Sequence, residues 1–351
     1  MTTFQTKDAK AALAIIGRVI ERRNTIPILG NVMIKASGEK MTISGTDLDI
    51  YASAEIDCTD TEPFAITITA KTFAAFIRGS VGYVELTATA ETATLKNDGM
   101  EMTVNLFCPA SDMPVISFEP KSSVEMTETM LHKSLSSVAF AISREEFRYR
   151  LNGVYLHSVY LHSVDVNLRA VATDGHLMAI YDLGVAWTLE PAILPRKTAL
   201  LMISAMKPGG NHSVLIEQDG MKMRFTHQDW TITSKMIDGK YPNYSKIIPA
   251  PSDKFSCTIS HAQISRIPFV DRCAVLDPEN GKLTCKELGE VSVSVPLQGH
   301  GPMVGFNIDY LKDFTRKHGV INISSAGQGD PALIKAEDSA FTGVLMPMRI
   351  M

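Results

Sequence analysis

Thr173–Ile180 reads TDGHLMAI, and Thr46–Ala52 reads TDLDIYA. Each follows a short alternating stretch, LRAVA before the first and MTISG before the second. The two motifs lie 127 residues apart, and the register persists beyond them: Lys71 in ITITAKTFAAFIRG (Ile66–Gly79) and Lys197 in AILPRKTALLMISAM (Ala192–Met206) lie 126 apart. Both segments read as an alternating strand running into a helix, and VGFNIDYLKDFTRKHG (Val304–Gly319) reads as a third copy. An alternating hairpin follows each copy. An amphipathic helix opens each unit: DAKAALAIIGRVIERR, TETMLHKSLSSVAFAI and HAQISRIPFVDRC. Matching offsets of this size mark an internal repeat. They predict an α+β chain of three similar domains, 1–120, 121–250 and 251–351, joined through FEPKSS and IPAPSDK. The third copy has no TD motif and is short between Cys273 and Val295.

Composition narrows the function classes. The 351 residues are 45% hydrophobic and 21% charged, an ordinary globular balance. No run of about 18 uncharged apolar residues suggests a membrane span, and Lys7, Asp8 and Lys10 break any signal-peptide core. The five cysteines are odd in number and form no CxxC pair, which argues against a disulfide framework or a zinc site and for a reducing cytoplasm.

The net charge of −4 is unevenly distributed. Six candidate helices, Lys7–Arg23, Lys71–Arg78, Glu128–Arg150, Arg196–Lys207, His261–Arg272 and Asp309–His318, together carry +11, leaving −15 for the rest. A surface lined by such helices attracts a polyanion while the exterior repels it. The sequence has no helix-turn-helix, no zinc finger and no aromatic-rich single-strand platform, so the expected contact is with phosphates, nonspecific and salt-sensitive.

These segments together resemble the beta subunit of bacterial DNA polymerase III, the sliding clamp family. The resemblance runs nearly end to end. It rests on RRNTIPILGN (Arg22–Asn31), GTDLDI (Gly45–Ile50), RYRLNGVYL (Arg148–Leu156), ATDGH (Ala172–His176), LPRK (Leu194–Lys197), TSKMIDGKYPNY (Thr233–Tyr244), GFN (Gly305–Asn307) and LMPMRI (Leu345–Ile350), in order. It implies three clamp domains, each with two helices packed on antiparallel sheets, and two chains closed head to tail into a ring around duplex DNA. The function it implies is tethering of a DNA polymerase as a processivity factor, with no catalysis and no cofactor or metal. Polymerase and clamp-loader subunits would insert short linear peptides into a pocket between the central and C-terminal domains. By motif the pocket takes Leu151, Thr173, Gly175, His176, Leu177 and Met178 from the central domain, then Pro242 and Ile247. The chain terminus adds Val344, Met346, Pro347, Met348 and Arg349. DNA contacts are expected from Arg23, Arg78, Arg148, Tyr149, Arg150, Arg196, Lys197, Arg272, Asn307 and Tyr310.

Departures from the family pattern accompany these matches. Leu177-Met178 follows TDGH where the family usually has Arg-Leu, so a polar rim contact is lost. Met351 extends the usual end, and LHSVYLHSV (Leu156–Val164) repeats four residues in a hairpin. The expected dimer positions are Thr103 and Asn105 on one side, small or polar where the family often has larger apolar groups, and Val275 and Leu276 on the other. These departures keep open an alternative, a specialised clamp paralog of a mobile element or repair system with altered partner preference. A hydrolase using Asp174 and His176 is disfavoured: no nucleophile elbow surrounds Ser204, Ser234 or the cysteines, and no third metal ligand accompanies the pair. The first-domain equivalent, Asp47-Leu48-Asp49, has no histidine. Asp47 and Asp174 are expected instead to cap turns by accepting backbone N–H bonds.

Overall fold

The structure, a computed structural model, describes residues 1–21, 25–161, 165–267, 272–286 and 292–350. Among the described residues six α-helices form: α1 Thr6–Ile16, α2 Ala70–Gly79, α3 Glu128–Val138, α4 Arg196–Ala205, α5 His261–Ile264 and α6 Ile308–His318. The three strand-to-helix copies fold as read. Ile50–Thr69 runs into α2, Ala192–Pro195 into α4 and Val304–Asn307 into α6.

Three of the expected helices are shorter than their sequence pattern. The first stops at Ile16 in a series of turns, and its expected end at Arg23 lies outside the described residues. The one expected over Glu128–Arg150 ends at Val138. A 3-10 turn follows at Ala139–Ala141, and Glu146–Leu151 forms a second 3-10 segment with Arg148 at φ −97°, ψ 41°. Hydrogen bonding explains this break. Ser143 N–H donates to the Leu151 carbonyl and Arg196 Nη1 donates to the Ile142 carbonyl, so the chain is recruited away from the helical ladder. The third, α5, keeps only four residues, held by a Ser260–Gln263 capping box. The α-helices proper therefore carry +6 rather than +11. Much of the basic excess sits in turns beyond them, at Arg18, Arg144, Arg148, Arg150 and Lys207.

The chain divides into two compact units. Met1–His132, Thr188–Glu190 and Lys197–Met236 build one around a ten-stranded antiparallel sheet, in which Trp230–Lys235 pairs with Ile50–Thr69 (Trp230 opposite Ala54, Ser234 opposite Ile50). Lys133–Trp187, Pro191–Arg196 and Ile237–Met351 build the other around a nine-stranded and a four-stranded sheet. There Phe341–Leu345 pairs with Leu177–Ala186 in the corresponding way (Leu345 opposite Leu177). The same joint therefore occurs twice: the strand leaving a TD turn pairs with the last strand of the following repeat. Strict alternation seats the sheets on their cores. In Tyr83–Ala88, Val84 and Leu86 are buried while Tyr83 and Glu85 face out. In α6, Ile308, Leu311 and Phe314 point inward, and Asn307 caps the helix by accepting from Asp309 N–H at 2.9 Å. No helix among the described residues is long and apolar enough to cross a membrane.

One core contact predicts an acid response. The His318 ring stacks on Phe341 at 3.6 Å, and burial lowers its pKa to about 4. The folded state thus keeps His318 neutral while the unfolded chain protonates near 6.5. Stability from this site is fully present above pH 6.5 and lost as pH falls toward 4, by about 2 kcal/mol. Thermal melts of wild type and His318→Phe across that window should diverge, with the variant the less sensitive to acid. Parallel curves would remove His318 from the acid response.

Candidate functional site

The two TD motifs form the same turn. Asp174 Oδ1 accepts from His176 N–H at 2.8 Å and Leu177 N–H at 2.9 Å, and Asp47 Oδ1 accepts from Asp49 and Ile50 N–H at 3.0 and 2.6 Å. The Thr173 hydroxyl donates to the Leu177 carbonyl and accepts from Gly175 N–H. Thr46 does the same with the Ile50 carbonyl and Leu48 N–H. Both aspartates are thus occupied as turn caps, as their sequence context predicts. The turn requires positive φ at its third residue. Gly175 supplies it at 95°, but the first turn has Leu48 there, at 80° and 40% exposed. Replacing Leu48 with glycine should raise stability by about 1 kcal/mol in urea titration, because left-handed backbone strains a residue with a Cβ. An unchanged or lower midpoint would show that Leu48 earns its place through packing.

Each turn is gripped from outside. In one unit, Lys197 Nζ lies 2.5 Å from Asp47 Oδ2 and donates to the Val19 carbonyl at 2.9 Å, while Lys235 Nζ meets Asp49 at 3.1 Å. In the other, Arg148 Nη1 donates to the Asp174 carbonyl at 3.0 Å, and its Nε pairs with Glu145 at 3.0 Å. Tyr310 also lies close enough to Asp174 to feel its charge. Burial, with the Asp174 charge as second cause, pushes the Tyr310 hydroxyl up to about 12, and Arg272 is near enough to act on it. A Cβ at Gly175 would come within 2.7 Å of the Arg148 guanidinium.

Beyond the Thr173 turn lies an apolar cluster. Val171, Met178, Ile180, Ile193, Tyr241, Tyr244 and Val344 form its buried floor, with Leu151, Tyr155, Ile237 and Ile248 packed against it. Met178 sits directly opposite Val344 across the strand pair. The chain terminus is pinned beside it: Met346 N–H donates to the His176 carbonyl at 2.9 Å, and Met348 N–H to the Gly305 carbonyl at 2.8 Å. Apolar side chains at Ile247, Met346, Met348 and Ile350 remain 36–50% exposed in this part of the unit. Pro242, His176 and Arg349 are exposed as well, and Pro347 is half-buried. Strand alternation puts Leu177 on the face opposite Met178, where it is 3% exposed. It belongs to the interior rather than to the cluster's surface.

Sequence reading missed the aromatic support of this floor. The rings of Tyr155 and Tyr241 stack at 4.7 Å and 6°. Tyr155 also stacks on His157, whose Nε2 hydrogen-bonds the Tyr244 hydroxyl at 2.7 Å. Burial lowers the His157 pKa and raises those of Tyr155 and Tyr244, so the group is neutral near pH 7. The period-2 pattern of VYLHS was the available signal for Tyr155; nothing local marks Tyr241 as its partner.

Arg78 is exposed in the last turn of α2. Tyr149 is 48% exposed, and Arg150 Nε donates to its hydroxyl at 3.1 Å. Arg196 is half-buried, Arg272 exposed, and Asn307 serves as the α6 cap. Arg23 lies outside the described residues, as do Met351 and the turn of the Leu156–Val164 hairpin at 162–164. Thr103 and Asn105 are exposed on Met100–Asn105, the terminal strand of the ten-stranded sheet. Leu276 must be corrected. It is fully buried on Cys273–Asp277, an inner strand flanked by Lys282–Lys286 and Val304–Asn307, opposite the buried Leu283 and Val304. It fills this chain's own core and has no side chain to offer a partner. Val275, next to it, is half-buried.

The chain matches the family models for the N-terminal domain of the DNA polymerase III beta subunit over residues 3–116 and for its central domain over 125–243. It is 32% identical over 365 residues to a beta sliding clamp of Caulobacter vibrioides, covering 97% of each chain. To that of Pseudomonas putida it is 28% identical over 378 residues, covering 99% of each. A solved sliding clamp from Bartonella birtlesii, bound to griselimycin, superposes with a TM-score of 0.91 at 27% identity over the full length of both chains.

Proposed function

The chain belongs to the beta sliding clamp family of bacterial DNA polymerase III, and on that premise we infer that it encircles duplex DNA and tethers a DNA polymerase as a processivity factor. It is a non-catalytic subunit, working through three clamp domains (1–120, 121–250 and 251–351) in a head-to-tail dimer in the cytoplasm. The near end-to-end match, with both family-model boundaries falling close to the first two domain limits, supports that division. Two open sheet edges support the dimer: Met100–Asn105 ends one sheet and Ser292–Pro296 ends another, and pairing such edges between chains would satisfy both.

The observation that carries the partner site is the cluster floored by Met178 and Val344 and rimmed by exposed methionines. Apolar, polarizable and adaptable, it suits short linear peptides of polymerase and clamp-loader subunits. Gly175, His176 and Arg349 supply polar points at its rim. The DNA-facing role falls to Arg78, Arg148, Tyr149, Arg150, Arg196, Arg272 and Tyr310, with Lys197 and Asn307 contributing mainly by holding structure. The test is titration of the purified protein with the C-terminal peptide of the host's replicative polymerase. Saturable binding supports the housekeeping role. No binding at any concentration favours the specialised paralog, a reading that draws on Leu177 lying inward where the family usually has an arginine.

A further inference from the structure

Two open sheet edges of this chain share one hydrogen-bonding phase. Among the described residues, Met100–Asn105 is the terminal strand of one sheet, with Thr92–Asn97 inside it. Ser292–Pro296 is the terminal strand of another, with Lys282–Lys286 inside it. Leu106 N–H donates to the Glu91 carbonyl at 2.8 Å, and Leu297 N–H donates to the Gly281 carbonyl at 2.9 Å. Opposed residues of an antiparallel ladder are alternately bonded and unbonded. In the observed registers that alternation turns the backbone groups of Met102, Val104, Val293 and Val295 inward. The backbone groups of Glu101, Thr103 and Asn105 therefore point out of one edge. Those of Ser292, Ser294 and Pro296 point out of the other, and no described strand meets either set.

Side chains follow the same alternation. Glu101, Thr103 and Asn105 are exposed while Met102 and Val104 are half-buried; Ser292, Ser294 and Pro296 are exposed while Val293 and Val295 are half-buried. Each edge also ends in a hydroxyl pair. Thr103 Oγ1 lies 3.0 Å from Thr94 Oγ1, and Ser294 Oγ lies 3.0 Å from Thr284 Oγ1. We propose that in the head-to-tail dimer, on which this inference rests, the two edges pair antiparallel with Thr103 of one protomer opposite the partner's Ser294. In that register residues 101–105 overlap the whole of 292–296. Met102 meets the partner's Val295 and Val104 meets the partner's Val293 on the core face. The two hydroxyl pairs join into one row on the outer face: Thr94 and Thr103, then the partner's Ser294 and Thr284. Proline has no N–H to give, and the partner's Pro296 falls at the end of the ladder, opposite Glu101. Sliding two residues one way would bring Pro296 opposite Thr103, inside the ladder. Sliding two the other way would set it against Gly99, a turn residue at φ 79°. A slip of one residue would put the outward groups out of phase and turn the valines to the solvent face. A Thr–Ser rung adds little affinity by itself. Its use is to fix the register, while apolar burial supplies the strength.

The experiment oxidises the full-length chain carrying Thr103→Cys with Ser294→Cys, using diamide. Two shifted pairs run beside it: Thr103→Cys with Ser292→Cys, and Asn105→Cys with Ser294→Cys. Directly opposed residues have Cα atoms about 5.5 Å apart, within disulfide reach, while diagonal neighbours lie about 7–8 Å apart and beyond it. On non-reducing electrophoresis the first pair should link into a dimer about tenfold faster than either shifted pair. Each single variant reports any linkage through the five native cysteines, and the double variant must exceed it. Sedimentation of the wild-type protein separates the two ways of failing. A dimer in which the first pair does not link, or links no faster than a shifted pair, overturns the register and leaves the ring standing. A chain that stays monomeric at every concentration overturns the ring and the register together.

Discussion

Deleting Met346–Met351 together with His176→Ala should weaken binding of a polymerase peptide by about two orders of magnitude while leaving the fold intact. The deleted segment supplies exposed Met346, Met348 and Ile350, and its backbone N–H groups at Met346 and Met348 donate to the His176 and Gly305 carbonyls. The buried floor of Val171, Met178 and Ile180 does not depend on it. Calorimetric titration and circular dichroism separate the two effects. Peptide binding that survives with near-native affinity would show that the exposed methionines are not the recognition surface.

The second large effect concerns the ring. Thr103 and Asn105 are exposed on a sheet edge, and the Thr103 hydroxyl already bonds Thr94 at 3.0 Å. Of the two residues expected on the other side of the contact, Leu276 is committed to its own core and Val275 is half-buried. Replacing Thr103 and Asn105 with leucine should tighten dimerisation by about 3 kcal/mol, roughly a hundredfold, if both side chains become buried between chains. Sedimentation across a dilution series reads this directly. Wild type should dissociate at concentrations where the double variant remains dimeric. Identical curves would place the subunit contact elsewhere.

Much of this architecture was legible because a repeat constrains sequence twice. The 127-residue offset of the TD motifs fixed the placement of strand, turn and helix, and the aspartates cap their turns for the reason their context gives. Helix ends were less legible. The apolar periodicity continues past Val138, but hydrogen bonds at Ser143 and Ile142 capture the chain, and one of the partners, Arg196, is 54 residues away in sequence. The site shows the same division. Met178, Val344 and the terminal methionines could be placed from motif alone, while the Tyr155–Tyr241 stack depends on residues brought together only by the fold. Lys197 marks where charge was a poor guide. It reads as a phosphate contact in sequence, yet its ammonium is spent on Asp47 and the Val19 carbonyl. The dimer reading failed at Leu276 because local pattern does not distinguish an edge strand from an inner one, and Cys273–Asp277 has a neighbour on each side.

A sliding clamp holds DNA by enclosing it rather than by gripping it. The most direct measurement loads it with the host's clamp loader onto a nicked circular duplex, removes free protein, and follows retention before and after the circle is cut once. Enclosure predicts persistent retention on the circle and rapid loss from the linear product, at salt that abolishes simple electrostatic binding. Equal retention on both forms, or equal loss from both, would contradict it.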